Sequence, residues 1–589
     1  MYFLVRPAVR KRVFCWIGRR RSSAANAVNT RTLVLHIPEP EPGPGSESLP
    51  GTPNEPDAGG VDNGPRQETW DAVDWFLGDS HTGDLVPVLY DSKAVLPSSK
   101  QDQLMAKLTG KYDAQYLPRD YFAPGTPLQQ LELLSGGKPG QIRLSVTKIL
   151  TGAYCELQKM YQLYMGVTEV PRTQEMLRGS QEHEQIELKT HPVTEVHVNN
   201  ATVRVDRTMR LKPSVEEAIP VTTPLPDELA QIYGLFVDET FEKSTAHQWS
   251  RNVSRLAQLV TFGSAREILV HAYYDQRLQQ LYVGGEPEIG EKDNACPDLV
   301  LISGVIDLLS LTGDETAFSL YQRELETQLD NPLDLAQLVA SVGATAVSWS
   351  DLLELHVADL KTRSYRKLPP PATQQLNFVQ VAMYARFLEL LAHDPAETYQ
   401  MLLLNLRKRS IDPTTVLDPS LVVYLLLNNN YLIADLFRLQ QGQDIGFAPF
   451  DASAANRSAE NYTLGCLKPI FHSNTADPRL KTLQQTVPSQ LALEQWTRVP
   501  TFELLAARTA QLLGTLRQFN IAQTAVDYSH QGEVFSSTAR PYNRQFADHS
   551  IATGMDLWLA KRAPLGPAYK SLCQTCEFAP RCGYLHALS

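Results

Sequence analysis

Apolar runs in the second half of the chain predict a mixed α/β fold. The segment DLVLISGVIDLLSL, from Asp298 to Leu311, is apolar on both faces, which is typical of a central strand. A second strand, LLELHVADLKTR, follows a mostly helical insertion from Thr312 to Ser350. The run QLNFVQVAMYARFLELLA has helical periodicity and begins after a proline-rich turn. This order of elements predicts a mixed central sheet flanked by helices, with large helical insertions and a large helical C-terminal part.

The pattern also predicts two helices upstream of these strands and a different kind of N-terminus. LSVTKILTGAYCELQKMYQLYMG would begin at Ser145 or Thr147, and RGSQEHEQIELK would be capped by Ser180. Residues 39–65 are rich in Pro, Gly, Glu and Ser, which indicates a disordered linker. Residues 1–38 contain eight basic residues and no acid, which predicts a mitochondrial transit peptide; the alternative is a basic disordered tail. Residues 66–589 are expected to form the folded domain.

Composition and charge restrict the function classes. With 43% hydrophobic and 20% charged residues the chain is ordinary for a globular protein, and its net charge of −11 requires a local basic groove for any anionic partner. The most apolar long segment, LVVYLLLNNNYLIADLF, is interrupted by three asparagines, so neither a membrane span nor a membrane partner is predicted. Seven cysteines, an odd number without a secretory signal, argue against a disulfide framework.

Two acidic residues at strand ends are the first candidate catalytic groups. Asp307 ends GVID, and Asp359 lies two residues before Lys361 on the next strand, so the two carboxylates could lie close together. Carboxylates bind Mg²⁺ or Mn²⁺, and a neighbouring lysine can stabilise charge on a phosphate or lower the pKa of an attacking water. The D-x-K tripeptide alone is also what a salt bridge at a strand end would show. Asp298, which follows a proline, begins its strand, so Asp307 is the preferred ligand.

Three residues on predicted helices extend this set. His183 lies on a helix upstream of the acids and is a plausible third metal ligand, although a lone histidine there is more often a surface residue. Gln380 and Tyr384 are four residues apart and therefore share a helix face, which could support the strand ends or touch a phosphate. Ordinary packing would place the same pair.

In their order along the chain these motifs resemble the RecB-type branch of the PD-(D/E)xK nuclease superfamily. The motifs are G-x-x-x-H at 179–183, G-V-I-D at 304–307, D-x-K-T-R at 359–363 and Q-x-x-x-Y at 380–384. Members of that branch usually have a shorter gap between the two acids, so the insertion from Thr312 to Ser350 is expected to be an excursion from the core. Because it joins the two acidic strands, its ends are expected beside the active centre, where it would form an acidic cover.

The cysteines near the C-terminus make the resemblance more specific. Cys573, Cys576 and Cys582 have the spacing C-x2-C-x5-C, and Cys155 upstream of the motifs is a candidate fourth ligand. This arrangement resembles the exonuclease V family, whose RecB-type nucleases carry a 4Fe-4S cluster, and the basic N-terminus resembles its fungal mitochondrial branch. The alternative is a zinc site completed by His586, three residues after Cys582, without Cys155.

The resemblance also implies an expected function. It implies a single-stranded DNA exonuclease, digesting from 5′ to 3′ in the mitochondrial matrix during DNA replication, repair or maintenance. His183, Asp307 and Asp359 would bind Mg²⁺ or Mn²⁺, the cluster would join the ends of the domain, and a monomer is expected. Basic residues expected to contact the DNA backbone are Arg363, Arg366, Lys367, Arg407, Lys408 and Arg409.

Two other functions remain open from the sequence. A non-catalytic, zinc-stabilised nucleic-acid-binding protein would not bring Asp307 and Asp359 together. A nuclease subunit of a helicase–nuclease complex would need a partner motor, because the nearest match to a nucleotide-binding loop, GEPEIGEK, has Glu291 where the lysine should stand. A helicase or a single-strand-binding protein is therefore a candidate partner beside single-stranded DNA.

Overall fold

The structure is a computed structural model that describes only part of the chain. The described residues are 126–135, 143–150, 155–164, 174–190, 193–198, 201–206, 240–284, 296, 298–314, 316–453, 462–472, 480–481, 484–485, 487–567, 570–574, 576, 578–579 and 582. The predicted transit peptide and linker, residues 1–65, lie outside them. All described residues belong to one unit of the chain, Thr69–Ser589.

The strands form two larger sheets and one hairpin. One sheet has the order β1-β7-β5-β6, the second has the order β11-β10-β9-β8-β4, and β2 pairs only with β3. Pairing is antiparallel except for β1 with β7 and β9 with β10. The strands are β1 Arg143–Ser145, β2 Val193–Val198, β3 Ala201–Asp206, β4 Ser264–Ala265, β5 Ile268–Asp275, β6 Gln280–Leu281, β7 Leu299–Ile306, β8 Leu308–Gly313, β9 Leu353–Thr362, β10 Asn520–His530 and β11 Glu533–Pro541.

Helices surround both sheets, and the predicted mixed α/β class is therefore correct. The first eight are α1 Pro127–Ser135, α2 Val146–Ile149, α3 Glu156–Tyr164, α4 Gln174–Thr190, α5 Phe241–Phe262, α6 Ala317–Gln328, α7 Leu335–Trp349 and α8 Pro371–Leu391. The remaining helices are α9 Pro395–Lys408, α10 Pro419–Asn428, α11 Ile433–Gln440, α12 Ala448–Asp451, α13 Lys468–His472, α14 Ser489–Leu493, α15 Phe502–Thr515 and α16 Arg544–Trp558. A short 3-10 helix, Lys570–Gln574, begins the cysteine-bearing tail.

The predicted central strand from Asp298 to Leu311 is broken in two at Asp307. β7 ends at Ile306 and belongs to the first sheet, whereas β8 begins at Leu308 and belongs to the second. The next predicted strand and helix are present as β9 and α8, and α8 packs against β5, β7, β9 and β10. The break therefore places an acidic residue at the junction of the two sheets, beside the helix that carries Gln380 and Tyr384.

Two helix predictions upstream were wrong in their boundaries. Ser145 does cap a helix, since its side chain accepts a hydrogen bond from the Lys148 N–H, but α2 ends at Ile149 and α3 begins separately at Glu156. Ser180 lies inside α4 rather than at its start. Gly179 also lies inside this helix. It allows α4 to approach the end of β9 closely, because a Cβ at this position would lie 2.8 Å from Thr362 Oγ1.

The insertion from Thr312 to Ser350 is not an excursion from the core, and its expected position beside the active centre was wrong. Its first residues belong to β8, and buried side chains of α6 and α7, including Tyr321 and Val342, join the hydrophobic core. The register pairs Leu308 with Ala358 at one end and Gly313 with Leu353 at the other. The helical hairpin leaves from the Gly313 end, about 17 Å along the strands from the acidic end.

Among the described residues, no single helix is long and apolar enough to cross a membrane. One pair of helices, Pro419–Asn428 and Asn430–Gln440, has the length and composition of a membrane span only when the two are counted together, and a bend of 118° separates them.

Candidate active site

Asp307 and Asp359 lie side by side, as the sequence predicted. Asp307 occupies the one-residue gap between β7 and β8, and its Oδ2 accepts a hydrogen bond of 2.8 Å from the Leu360 N–H. Because Leu360 directly follows Asp359, this bond holds the two acidic residues on neighbouring strands at the same level. The non-catalytic alternative, in which the two acids are far apart, does not agree with this arrangement.

Lys361 is held in this site by a chain of polar contacts. Its Nζ lies 3.1 Å from Asp359 Oδ2 and donates to Gln380 Oε1 at 3.1 Å. The Gln380 amide Nε2 donates to the Tyr384 hydroxyl at 2.7 Å and lies 3.4 Å from Asp359 Oδ1. Gln380 and Tyr384 therefore position the lysine and the acid from α8, which is the supporting role that their four-residue spacing suggested.

The glycine of the G-V-I-D motif makes room for Tyr384. A Cβ at Gly304 would lie 2.3 Å from the Tyr384 ring atom Cε1. This distance is much shorter than a van der Waals contact between two carbon atoms. Any residue other than glycine at this point of β7 would therefore displace the Tyr384 ring. Gly304 thereby fixes how closely α8 approaches β7, and with it the position of Gln380.

A third acidic residue, Glu267, forms a candidate metal-binding triangle with His183 and Asp307, although it was not among the predicted ligands. One ligand atom each from His183, Glu267 and Asp307 lies within 4.8 Å of the other two. Glu267 precedes β5 in a turn and has a φ of 55°, a strained backbone conformation of the kind that clusters at functional sites. Knowledge of the register between β5 and β7 would have identified Glu267. Ile268 pairs with Ile306, so Glu267 and Asp307 lie just beyond this pair at neighbouring ends of the two strands.

Burial and the charges of neighbouring acids make both central acids weak. Burial and then the negative charge of Glu267, opposed by Lys361, together raise the pKa of Asp307 to about 6. Burial raises the pKa of Asp359 to about 7, with Lys361 again opposing the shift and Asp307 adding to it. A bound cation would reverse these shifts, because it stabilises the ionised carboxylates. Buried carboxylates beside His183 thus fit a hard divalent ion such as Mg²⁺ or Mn²⁺.

A cleft of about 140 Å³ opens at Asp359 between α4 and the β10–β11 hairpin. Its lining includes Ile186 from α4 and Gly532 and Val534 from the hairpin. The loop after β9 is fixed to the hairpin, since the Arg363 N–H donates to Ser529 O at 2.7 Å. A substrate could reach Asp359 through this cleft.

Of the first predicted basic group, Arg366 and Lys367 are exposed in this loop, and Arg363 is half-buried. Arg366 forms an ion pair with Glu533 at the hairpin. Both exposed side chains therefore lie on the segment that leads away from Asp359 and Lys361. Their predicted contact with the DNA backbone stays a prediction.

The second predicted basic group does not form an exposed DNA-binding surface. Lys408 is buried in the last turn of α9 and donates to Cys296 O at 2.8 Å, so it does not fit the predicted contact with DNA. Burial lowers the pKa of Lys408 to about 8. Arg407 and Arg409 are half-buried, and Arg409 Nε donates to Asn405 Oδ1 at 2.6 Å. The sequence showed three adjacent charges but not that α9 directs the middle one into the core.

The four cysteines expected to bind a cluster line one pocket. Cys155 precedes α3, and Cys573, Cys576 and Cys582 reach it from the tail. No disulfide bond joins any of these four cysteines. Burial raises the pKa of Cys155 to about 12, and the charges of the other three cysteines add to this effect, so the set would require a metal to hold it as thiolates.

Among the described residues, the thiols of this pocket do not come as close together as the sulfur ligands of one zinc ion. Tetrahedral zinc with Zn–S bonds of about 2.3 Å brings its sulfurs to roughly 3.8 Å from one another. Among the described residues, no three cysteines bring their Sγ atoms within 4.8 Å of one another. His586, the ligand that the zinc alternative requires, lies outside the described residues.

The tail is docked beside Cys155 by a buried ion pair. Glu156, which is 1% exposed, accepts hydrogen bonds from Arg562 Nη1 at 2.6 Å and Nη2 at 2.9 Å. The Leu565 N–H donates to the same carboxylate at 2.8 Å. Phe578 packs against Tyr161 of α3 with ring centroids 5.3 Å apart and ring planes tilted by 44°. These contacts bring the tail to α3 independently of any metal.

Comparison with known proteins shows the family of this chain. Residues 136–212 and 221–584 match the family model described as exonuclease V, a 5′ deoxyribonuclease. The chain is 29% identical over 466 residues to "Exonuclease V, mitochondrial" of Kluyveromyces lactis, covering 76% of each protein. It is 26% identical over 474 residues to the protein of that name from Debaryomyces hansenii, covering 75% of this chain and 74% of the relative. The protein of that name from Candida tropicalis is 27% identical over 528 residues, covering 84% of this chain and 83% of the relative. The resemblance inferred from the motifs is thereby confirmed, and the chain belongs to the exonuclease V family.

Proposed function

We propose that this protein is a metal-dependent exonuclease that hydrolyses single-stranded DNA from the 5′ end in mitochondria. The observation that carries the proposal is the joining of Asp307, Asp359 and Lys361 at one end of neighbouring strands, with His183 and Glu267 beside them. The family description supports a 5′ deoxyribonuclease, and the names of the yeast relatives support the mitochondrial location. The PD-(D/E)xK core is the fold that this arrangement of acids and lysine fits.

The residues divide the chemical work between metal binding and charge stabilisation. His183, Glu267, Asp307 and Asp359 would hold Mg²⁺ or Mn²⁺, which when bound supplies positive charge to the scissile phosphate and acidifies a water. Lys361 presents its ammonium group beside Asp359, where it can stabilise negative charge on the phosphate. The break of the strand at Asp307 keeps this carboxylate fixed by the Leu360 N–H, so the site needs little rearrangement when substrate arrives.

End-labelled DNA provides the direct test of activity. The purified full chain should degrade linear single strands with Mg²⁺, release label from the 5′ end, and leave matched duplex and circular single strands uncut. Activity that survives a chelator would contradict metal dependence. Rapid cutting of the circle would contradict the exonuclease assignment and leave only a nuclease.

Two variants separate chemistry from binding. Asp359→Ala should abolish cleavage while single-strand binding persists, because it removes a metal ligand and leaves the cleft. Glu267→Gln should keep the shape of the site but increase the Mg²⁺ concentration needed for half-maximal activity at least tenfold, because a neutral amide binds the ion more weakly. Near-normal turnover of the first variant, or an unchanged metal requirement of the second, would remove that residue from the metal site.

The cysteine pocket would hold a 4Fe-4S cluster with a structural role. Cys155 lies at the start of α3 and the other ligands lie in the tail, 418 residues further along, so the cluster would join the two ends of the nuclease domain. Anaerobically purified protein should be brown and contain about four iron and four sulfide per chain. Cys155→Ala should remove the iron, whereas a colourless, active protein with one zinc that survives this change would establish the zinc alternative.

The expected surroundings of the enzyme are also proposals. Deleting residues 1–38 should leave activity intact and abolish mitochondrial import. The protein would act as a monomer on single-stranded DNA, made available by a helicase or a single-strand-binding protein. Size-exclusion chromatography with light scattering tests the first statement, and co-purification from mitochondria tests the second.

A further inference from the structure

One face of β5 and β7 carries a line of residues that leads away from the metal site. Alternate residues on the two strands share this face, since side chains alternate along a strand. The line begins at Glu267 and Asp307, whose ligand atoms lie within 4.8 Å of each other, and continues through the cross-strand pairs Leu269–Val305 and His271–Ser303. Leu269 and Val305 are half-buried. The last pair stands about 13 Å from Glu267 and Asp307, at the strand rise of about 3.3 Å per residue.

A small cavity lies over the middle and far pairs of this line. Its volume is about 30 Å³. Three of its side chains are more than nine-tenths buried and have polar atoms without a hydrogen-bond partner: His271 Nε2, Ser303 Oγ and Thr509 Oγ1. Buried polar atoms are normally satisfied, so these three indicate an occupant, for which two or three waters at roughly 10–15 Å³ each are the simplest choice. The oxygens of one phosphate group occupy a comparable space.

The charges around the cavity favour an anion. Arg143 from β1 and Arg409 from the end of α9 both line it, and no Asp or Glu is among the described lining residues. Ser303 and Thr509 add two hydroxyl groups that can donate. Burial, followed by the charge of Arg409, lowers the pKa of His271 to about 3, so its ring is neutral. A neutral Nε2 accepts a hydrogen bond from a protonated phosphate oxygen or from an intervening water.

We propose that this cavity, the Arg143–Arg409 pocket, binds the terminal 5′ phosphate of the DNA strand that is being cut. The inference rests on the proposed function. A phosphate at the His271–Ser303 end of the pocket would lie beyond Leu269 and Val305 from a scissile bond at Asp307. The separation of about 13 Å between this phosphate and the bond corresponds to no more than about four nucleotides at a stacked rise of 3.4 Å. The pocket therefore recognises an end and sets a short, fixed product length.

The test compares oligonucleotides that differ only at their ends. Full-length Asp359→Ala protein, which should bind without cutting, is titrated with one single-stranded 12-mer carrying a 5′ phosphate, a 5′ hydroxyl or a 3′ phosphate. We expect the 5′-phosphorylated strand to bind at least tenfold more tightly than the other two. Adding Ser303→Ala or Thr509→Val should reduce this ratio to near one and leave binding of the 5′-hydroxyl strand unchanged.

Thr515→Val is the matched control. Thr515 is a buried threonine on the same helix, but its hydroxyl donates to Leu512 O at 2.7 Å and it is not among the described lining residues of the Arg143–Arg409 pocket. It should keep the tenfold preference. If both pocket variants fail to fold, the position of the first cut made by the unmodified enzyme is measured instead. This position should be fixed on strands with a 5′ phosphate and scattered on strands with a 5′ hydroxyl.

The other outcomes overturn the proposal in distinguishable ways. Equal binding of all three strands would refute the pocket while the unmodified enzyme still degrades single strands, whereas absence of that degradation would refute the proposed function itself. Preference for the 3′ phosphate would refute the assigned polarity. Inorganic phosphate that raises the melting temperature without any preference for a phosphorylated end would show that the pocket binds free anions, which also refutes the proposal.

Discussion

Replacing Arg562 by methionine should detach the cysteine-bearing tail from α3. The substitution removes both hydrogen bonds to Glu156, of 2.6 and 2.9 Å, and leaves a carboxylate that is 1% exposed with the Leu565 N–H as its remaining partner among those described above. Removing one member of a buried ion pair costs roughly 3–5 kcal/mol. Because the Arg562 side chain is 21% exposed, water can partly solvate the site, so we expect about 3 kcal/mol.

Thiol labelling measures this loss where it should occur. A cost of about 3 kcal/mol corresponds to roughly a hundredfold larger open population, so Cys155 in metal-free protein should react about a hundredfold faster. The matched control is Arg544→Met on α16, whose nitrogens lie 3.7 Å from Glu389 and 3.9 Å from Asp548 at the surface, and which should cost less than about 1 kcal/mol.

A double variant tests the physical cause. Adding Glu156→Gln to Arg562→Met removes the buried charge and should recover most of the lost stability, since the penalty comes from an uncompensated carboxylate. If Arg562→Met labels no faster than the Arg544 control, the ion pair does not hold the tail, and contacts such as that between Tyr161 and Phe578 must do so.

Three further predictions concern the site and its surroundings. Gly304→Ala should displace the Tyr384 ring, destabilise the protein by about 1–3 kcal/mol and lower turnover more than DNA binding, measured by parallel cleavage and binding assays. Gly343→Ala, in the interior of α7 with nothing within 4 Å of the new Cβ, should instead raise stability by about 0.5–1 kcal/mol without changing turnover. Because the folded-state pKa values of Asp307 and Asp359 are raised to about 6 and about 7, metal-free protein should lose stability as pH rises from about 4 through 7. Mg²⁺ should therefore raise the melting temperature more at pH 8 than at pH 5, and an equal increase at both pH values would contradict the metal site.

The sequence was sufficient to predict the residues whose roles depend on neighbours close to them along the chain. Strand alternation and helical spacing were sufficient for Asp359, Lys361, Gln380 and Tyr384, because each depends on positions two or four residues apart. Glu267 could not be found in this way, since its role depends on the register between β5 and β7 rather than on local spacing. The burial of Lys408 likewise depends on what α9 packs against.

The position of the helical insertion shows the same limit. Chain order correctly placed the insertion between the two acidic strands, but it could not show which ends of β8 and β9 the hairpin joins. That choice follows from antiparallel pairing, in which Gly313 stands opposite Leu353. The break of the strand at Asp307 was also hidden, because neither glycine nor proline marks it.

The order in which the chain is synthesised has a consequence for when the protein can become active. β9 carries Asp359 and Lys361, yet its parallel neighbour β10 begins only at Asn520, and Val526 is the residue that pairs with Asp359. The tail that reaches Cys155 follows later still. A growing chain that ends before Asn520 therefore lacks the strand that pairs with Asp359, and we expect nuclease activity only after the last segments have been added. Late completion would protect nearby nucleic acid from cutting by unfinished molecules.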